Sequence, residues 1–242
     1  WICTDHGINF YDRNSHQMRN FIVYDKSGKY STAWAYDILQ DQKGRIWMGS
    51  YQGGVFVMDK PALLSGKTIA DWHFSDKGKN ALSGLHVGQM VMDSKGRIWV
   101  STYNRLDCIN PNSMKVVQVA NSDVVNYLMA DSKGNIWMGD NTSVTCYYAA
   151  GSVLGNSFPS KTWQIGGKVS TMCDVEGKIW VVSGNECCVI DPQGESQRFV
   201  IPSIVPLTIC YSRQTHQVMM GGNDGYVAIS SDVAQKPKQF TR

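Results

Sequence analysis

The chain of 242 residues lacks most of the marks of an enzyme, a membrane span or a nucleic-acid binder. It has no apolar run of transmembrane length and no low-complexity tract. It contains no G-x-S-x-G elbow, H-E-x-x-H pair, P-loop or G-x-G-x-x-G after a strand, which leaves the common hydrolase, zincin and nucleotide-binding motifs without a foothold. The histidines His6, His16, His73, His86 and His216 are scattered, with no i, i+4 pair. Charge is dispersed too: 23 basic and 20 acidic residues give a net +3, without the concentrated Lys/Arg face that a nucleic-acid partner requires. No C-x-x-C and no His/Cys cluster at zinc spacing accompanies the seven cysteines. An odd count without a framework reads as small buried hydrophobes, which fits a reducing compartment better than an oxidising one; a strained Cys187–Cys188 bridge is the alternative. No signal peptide is present, but Trp1 is not a natural start, so that absence says nothing about export.

What the chain does have is repetition. Asp41-Gln42-Lys43-Gly44-Arg45-Ile46-Trp47-Met48-Gly49, Asp93-Ser94-Lys95-Gly96-Arg97-Ile98-Trp99-Val100-Ser101 and Asp131-Ser132-Lys133-Gly134-Asn135-Ile136-Trp137-Met138-Gly139 are one phrase three times over. Asp174 to Val182 is a looser copy around Trp180, Gln217 to Gly222 a degenerate one with Met219 at the Trp position, and Trp1 opens inside a sixth. A period near forty residues signals a repeat array. Asp-x-x-Gly suits a tight turn, and the apolar runs on either side are too short for helices and bounded by turn residues. Each period resolves into four strands, for example Trp34–Gln40, Arg45–Gly49, Val55–Asp59 and Ala70–Phe74, graded from apolar to polar. That is the pattern of a β-propeller blade, so the expected fold class is all-β, a propeller of four-stranded antiparallel blades in a single domain over 1–242. Six blades are expected. The first has strands at Trp1–Thr4, Ile8–Asp12 and Asn20–Tyr24 but no inner strand; the other five have four each, the last ending near Lys238–Arg242. The chain then reads as a slice of a longer propeller region or as a ring that another segment closes, and a closed six-bladed ring stays open as a reading. Trp47, Trp99, Trp137 and Trp180 sit at one equivalent position, which makes them buried packing residues.

The phrase Asp-x-x-Gly-x-Ile-Trp-(Met/Val)-Gly-(Ser/Thr), with Gly53-Gly54-Val55 and Asp59 after the best copy, resembles the two-component regulator propeller repeat. The opening Trp1-Ile2-Cys3-Thr4-Asp5-His6-Gly7 fits as well, with Cys3 where that repeat usually has Gly. The resemblance implies a sensor region of a hybrid two-component receptor from gut Bacteroidetes: periplasmic, responsive to glycans or their fragments, and not itself an enzyme. It further implies neighbouring propeller or signalling domains, a kinase elsewhere in the protein and a full-length homodimer.

Function in a repeat array falls to the loops that do not repeat. Turns between second and third strands, and connections from one blade to the next, share one end of a propeller. They carry Tyr30, Trp34, Tyr51, His86, Tyr103, Arg105 and Asn223, which are the expected ligand-binding residues. Aromatic faces beside Asn, Arg and His suit a small carbohydrate, with Arg105 or an Asn for hydroxyls or a carboxylate. No cofactor, metal or nucleic acid is expected. Two other readings stand beside the sensor: a lyase of the streptogramin-lyase type, with His86 paired to Asp5 or Asp224, and a protein-interaction scaffold.

Overall fold

Six antiparallel sheets follow one another along the chain. The computed structural model describes residues 1–103, 105–121, 124–149, 158–201 and 204–232. Blade 1 holds β1 (Ile2–Thr4), β2 (Gly7–Asp12) and β3 (Gln17–Phe21). Blade 2 holds β4 (Ala35–Gln40), β5 (Arg45–Ser50), β6 (Gly54–Asp59), the short helix α1 (Lys60–Leu64) and β7 (Trp72–Phe74). Blade 3 is β8 (Val87–Met92), β9 (Ile98–Thr102), β10 (Arg105–Asn110) and β11 (Lys115–Asn121). Blade 4 is β12 (Tyr127–Ala130), β13 (Ile136–Gly139), β14 (Ser143–Tyr147) and β15 (Ser160–Gln164). Blade 5 is β16 (Val169–Val175), β17 (Lys178–Ser183), β18 (Glu186–Ile190) and β19 (Gln197–Val200), and blade 6 is β20 (Thr208–Ser212), β21 (Gln217–Gly222) and β22 (Gly225–Ser230). The described residues group into two compact units, blades 1–3 with Phe158 and blades 4–6.

The blade reading of the repeat holds, with corrections at its ends. Blade 1 has three strands among the described residues, as the missing inner strand requires, but its outer strand starts at Gln17 rather than Asn20. Four of the five residues of β3 are exposed, so no apolar pattern marked its start. Blade 6 shows three strands among the described residues, and the fourth expected near Lys238–Arg242 lies outside them. The helix α1 was not expected. Its cue is Asp59-Lys60-Pro61, a capping-type residue followed by a proline in the first turn, where the missing N–H costs nothing.

The core is a series of layers between blades rather than one centre. Trp47, Val55 and Val57 of blade 2 pack on Val87, Met90, Ile98 and Val100 of blade 3. Trp137 and Val144 of blade 4 meet Val169, Met172 and Val181 of blade 5, and Trp180 and Val182 of blade 5 meet Ile209, Val218 and Met220 of blade 6. Trp47, Trp99, Trp137 and Trp180 are each fully buried, as their equivalence demands. Burial of some 150–250 Å² apiece at about 25 cal/mol per Å² contributes at most about 4–6 kcal/mol each. Three of them pair with an aromatic of their own outer strand: Trp47 stacks on Phe74 and Trp137 on Trp163, while Trp180 meets Phe199 edge-on. Trp99 takes Phe158 instead, a residue well beyond its own blade in sequence, and the Arg97 guanidinium lies over the same ring at 5.0 Å. Small residues after the Trp let the next blade approach. A Cβ on Gly49 would come within 2.6 Å of Val87 Cγ1, and one on Gly139 within 2.5 Å of Val169 Cγ1.

The repeated Asp ties the phrase together. Asp41 Oδ1 accepts the N–H groups of Lys43 and Arg45, while Oδ2 accepts Arg45 Nε at 2.8 Å and Trp47 Nε1 at 2.9 Å. Asp93 does the same for Lys95, Arg97 and Trp99, and Asp131 for Lys133, Asn135 and Trp137. One carboxylate thus folds the turn and satisfies the buried indole six residues on. The fourth copy keeps the spacing and loses the knot. Cys173 opposes Trp180, seven residues apart, whereas Leu39 opposes Trp47, eight apart, so the turn is one residue shorter. Glu176 and Gly177 both take positive φ (54° and 86°), the signature of a two-residue type I′ turn. Asp174 therefore bonds Gly177 N and, across to blade 4, Ser132 N at 2.6 Å, and Trp180 Nε1 is left without an acceptor among the described residues.

All seven cysteines are free thiols. Cys108, Cys146, Cys187 and Cys188 are buried, as small hydrophobes should be, and burial pushes Cys108 and Cys146 up to about 12. Cys210 departs from that reading, being exposed. Cys187 and Cys188 are consecutive residues of β18, so their side chains point to opposite faces and no bridge joins them.

Candidate functional site, an aromatic row on blades 2 and 3

Main-chain bonds fix one end of blades 2 and 3. Tyr51 N–H, just past β5, donates to Trp34 O, just before β4, and Tyr103 N–H repeats the bond to His86 O in blade 3. Gly54 N–H donates to Leu85 O, tying blade 2 to the connection that enters blade 3. This brings second-to-third turns and inter-blade connections together, as the blade topology requires. The side chains they carry touch in sequence: Trp34 and Tyr51 at 5.7 Å between ring centroids, Tyr51 and His86 at 4.6 Å edge-on, His86 and Tyr103 at 6.4 Å. Tyr36 stacks on Tyr51 at 5.2 Å. Trp34, Tyr36 and Tyr103 are 50%, 58% and 66% exposed, so the row offers flat apolar faces to solvent. Four of the seven expected residues, Trp34, Tyr51, His86 and Tyr103, therefore form one continuous surface.

Tyr30 lies beside the row rather than in it. It joins Trp34 in lining a pocket of roughly 270 Å³ with Lys29, Ser31, Ala33, Ser50 and Gln52. The pocket wall is rigid. Ser50 Oγ donates to Ser31 O at 2.9 Å, and a Cβ on Gly53 would fall 2.7 Å from that same carbonyl. Tyr30 packs against the His73 ring at 5.2 Å, and His73 Nε2 bonds Gly53 O at 2.7 Å. A compact turn at Asp25-Lys26-Ser27-Gly28-Lys29 holds the other side, with Asp25 N–H donating to Tyr30 O and Tyr30 N–H donating to Asp25 Oδ1. Burial works against the Asp25 carboxylate, but the Ser27 hydroxyl and the N–H groups of Tyr30 and Ser27 outweigh it and hold its pKa at about 2.

The two remaining expected residues lie on other elements. Arg105 is the first residue of β10, paired to Thr102 and not in the turn itself. Asn223 is exposed in the two-residue turn between β21 and β22, in the other compact unit. Of the two acids paired with His86 in the lyase reading, Asp5 bonds its neighbour His6 Nδ1 at 2.9 Å, a bond that lowers its pKa, and Asp224 lies in the turn between β21 and β22, in the other compact unit. Tyr36 is the residue that loop reasoning missed, because it sits within the inner strand. Strand alternation could have found it, since Ala35 is buried and its neighbours on either side must face out.

Two carboxylates support this end, Asp37 half-buried and Asp107 buried. Asp37, at the bulge in β4, accepts Met90 N–H of β8 at 2.5 Å and so ties the two inner strands. Asp107 in β10 accepts Ser83 N–H at 2.8 Å and Ser83 Oγ at 2.6 Å, pinning the connection that carries His86. Burial raises both above the ordinary carboxylate value of 3.8 despite these bonds. The folded chain then holds the Asp107 proton to higher pH than the unfolded chain. Its stabilising contribution is complete below that ordinary value and is lost as pH rises through the raised folded value. Asp107→Asn keeps an acceptor for Ser83 N–H and removes the loss, so its melting temperature relative to wild type is expected to climb as pH rises from 4 to 7. Asp107→Ala is expected to melt earlier at every pH. Thermal melts across that range check both; parallel curves for wild type and Asp107→Asn would contradict the assignment.

The two-component regulator propeller model matches this chain at residues 29–52 and 81–104, the segments that contain Tyr30, Trp34, Tyr36, Tyr51, His86 and Tyr103. No curated protein matches. Among solved structures, the extracellular domain of BT4673 from B. thetaiotaomicron, described as a one-component or hybrid two-component system, superposes with a TM-score of 0.86 at 28% identity. That match covers 99% of this chain and 33% of that one, so the chain spans about a third of the solved domain. The extracellular domain of BT3049 from the same organism gives a TM-score of 0.69 at 16% identity, over 91% of this chain and 30% of the other. Virginiamycin B lyase from Staphylococcus aureus gives 0.57 at 14%, over 81% and 69%, a likeness of fold alone. The chain is thus a β-propeller segment in which two stretches, in blades 2 and 3, match the two-component regulator propeller model, and its fold resembles that of receptor extracellular domains.

Proposed function

We propose that this chain senses an oligosaccharide, which lies along Trp34, Tyr51, His86 and Tyr103. The observation that carries this reading is the unbroken exposed aromatic row on blades 2 and 3. Aromatic faces stack on the apolar faces of pyranose rings, and a rigid row costs little ordering on binding. The rest of the receptor follows from the resemblance: a periplasmic address, further propeller or signalling domains, a kinase that takes the signal, and a homodimer.

Stacking brings a few kcal/mol at most, so affinities between millimolar and micromolar are expected. Calorimetric titration of the chain with plant and host glycan fragments tests the reading. Trp34→Ala and Tyr103→Ala are each expected to weaken the best ligand by about tenfold, or roughly 1.4 kcal/mol. Unchanged binding in both variants would move the site off the row, and binding of no fragment would remove the sensing role from this face.

A further inference from the structure

We infer that the pocket at the Trp34 end of the row is an anion-reading subsite, in which Lys29 receives a carboxylate or sulfate borne by one sugar ring of the ligand. This rests on the oligosaccharide reading above and adds the charge class of the ligand to it.

The pocket holds roughly 270 Å³, just below the range of about 300–1,000 Å³ that accommodates drug-sized ligands, so a single ring fits. The remaining rings of a chain would then run outward over Tyr51, His86 and Tyr103. Its walls divide by chemistry. Trp34 and Tyr30 supply aromatic surface, Ser31, Ser50 and Gln52 supply donors and acceptors for hydroxyls, and Lys29 supplies positive charge. Lys29 is exposed, its Nζ lies 5.0 Å from the Tyr30 ring centroid, and among the described residues no carboxylate lies within ion-pair distance of it. An ammonium held against an aromatic face at the mouth of a polar pocket, with its charge uncompensated, favours an anion there. Nor does the pocket have to be organised by the ligand. The Ser50–Ser31 bond, the close approach at Gly53 and the Asp25 turn already fix its backbone. Arg105, the cation expected to read acidity, is not among the pocket-lining residues and begins a strand of blade 3.

The test uses three trisaccharides of one backbone: a galacturonate, a 6-O-sulfated galactose and a neutral galactose, titrated at low and at physiological salt. Wild type is expected to bind one of the anionic forms about 5–10-fold more tightly than the neutral form, with the preference shrinking as salt rises. Whether carboxylate or sulfate wins identifies the anion. Lys29→Gln is expected to bind acidic and neutral forms alike, and Lys29→Arg to keep the preference, with thermal melts confirming that both variants fold. Equal affinity for all three sugars in wild type, or a preference that survives Lys29→Gln, overturns the charge assignment. In that case, continued sensitivity to Tyr103→Ala keeps the row as the sugar platform. Binding of none of the three overturns the charge assignment, and the titration with plant and host glycan fragments then decides the oligosaccharide reading on its own.

Discussion

Asp41→Ala is expected to lower the unfolding free energy by about 3–5 kcal/mol, the usual cost of breaking a buried ion pair from one side. The Asp41 and Arg45 side chains are only 2% and 8% exposed, and the carboxylate takes four N–H bonds. Removing it strips a buried guanidinium of its counter-charge, leaves Trp47 Nε1 in apolar surroundings and releases the turn. Asn gives little relief, because its NH₂ would face the Arg45 and Trp47 donors. Asp174 occupies the same place in the sequence phrase but, among the described residues, holds two main-chain N–H groups and no side-chain one. Asp174→Ala is therefore expected to cost about 1–2 kcal/mol. Urea denaturation of the two variants measures the contrast, and equal losses would show that the repeated Asp acts through the turn alone.

The second large contrast concerns the indoles. Trp47→Phe removes a satisfied N–H, leaves Asp41 short of a donor and opens space at a packed blade junction, so a loss of about 2–4 kcal/mol is expected. Trp180 is equally buried, yet among the described residues its N–H has no acceptor. An unpaired buried donor already carries a penalty of about 1–3 kcal/mol, which Trp180→Phe relieves while creating a similar void. The two terms offset, and a change within about 1 kcal/mol of wild type is expected. A loss at Trp180 matching that at Trp47 would mean that the indole N–H finds a partner in solution.

Much of this was legible in the chain because repetition multiplies weak signals. One Ile-Trp-Met-Gly run says little; four equivalent Trp residues announce equivalent burial. What stayed hidden was geometry that spacing does not encode. Asp174 and Trp180 are six residues apart, just as Asp41 and Trp47 are, and only the strand register shows that the turn between them is shorter. The Phe158 contact with Trp99 was invisible because it joins residues far apart in the chain. In the candidate site, loop positions predicted Trp34, Tyr51, His86 and Tyr103 because topology sends such loops to one end. Tyr36 was missed because it belongs to a strand, and Lys29 because a lone lysine in a turn reads as a solvated one. Nothing in the spacing marks Asp37 or Asp107; their role comes from what the neighbouring segment places opposite them.

The tied wall around Tyr30 has a consequence for signalling. A pocket whose backbone is braced by the Ser50–Ser31 bond, the missing side chain at Gly53 and the Asp25 turn has no hinge to close. If an oligosaccharide fills that pocket as proposed, these ties argue against a flap or a latch as the means of passing occupancy on. Under the proposed reading the occupant itself would be the message: the part of a sugar left protruding beyond Trp34 would become new surface, for a neighbouring protein face to read as molecular glue.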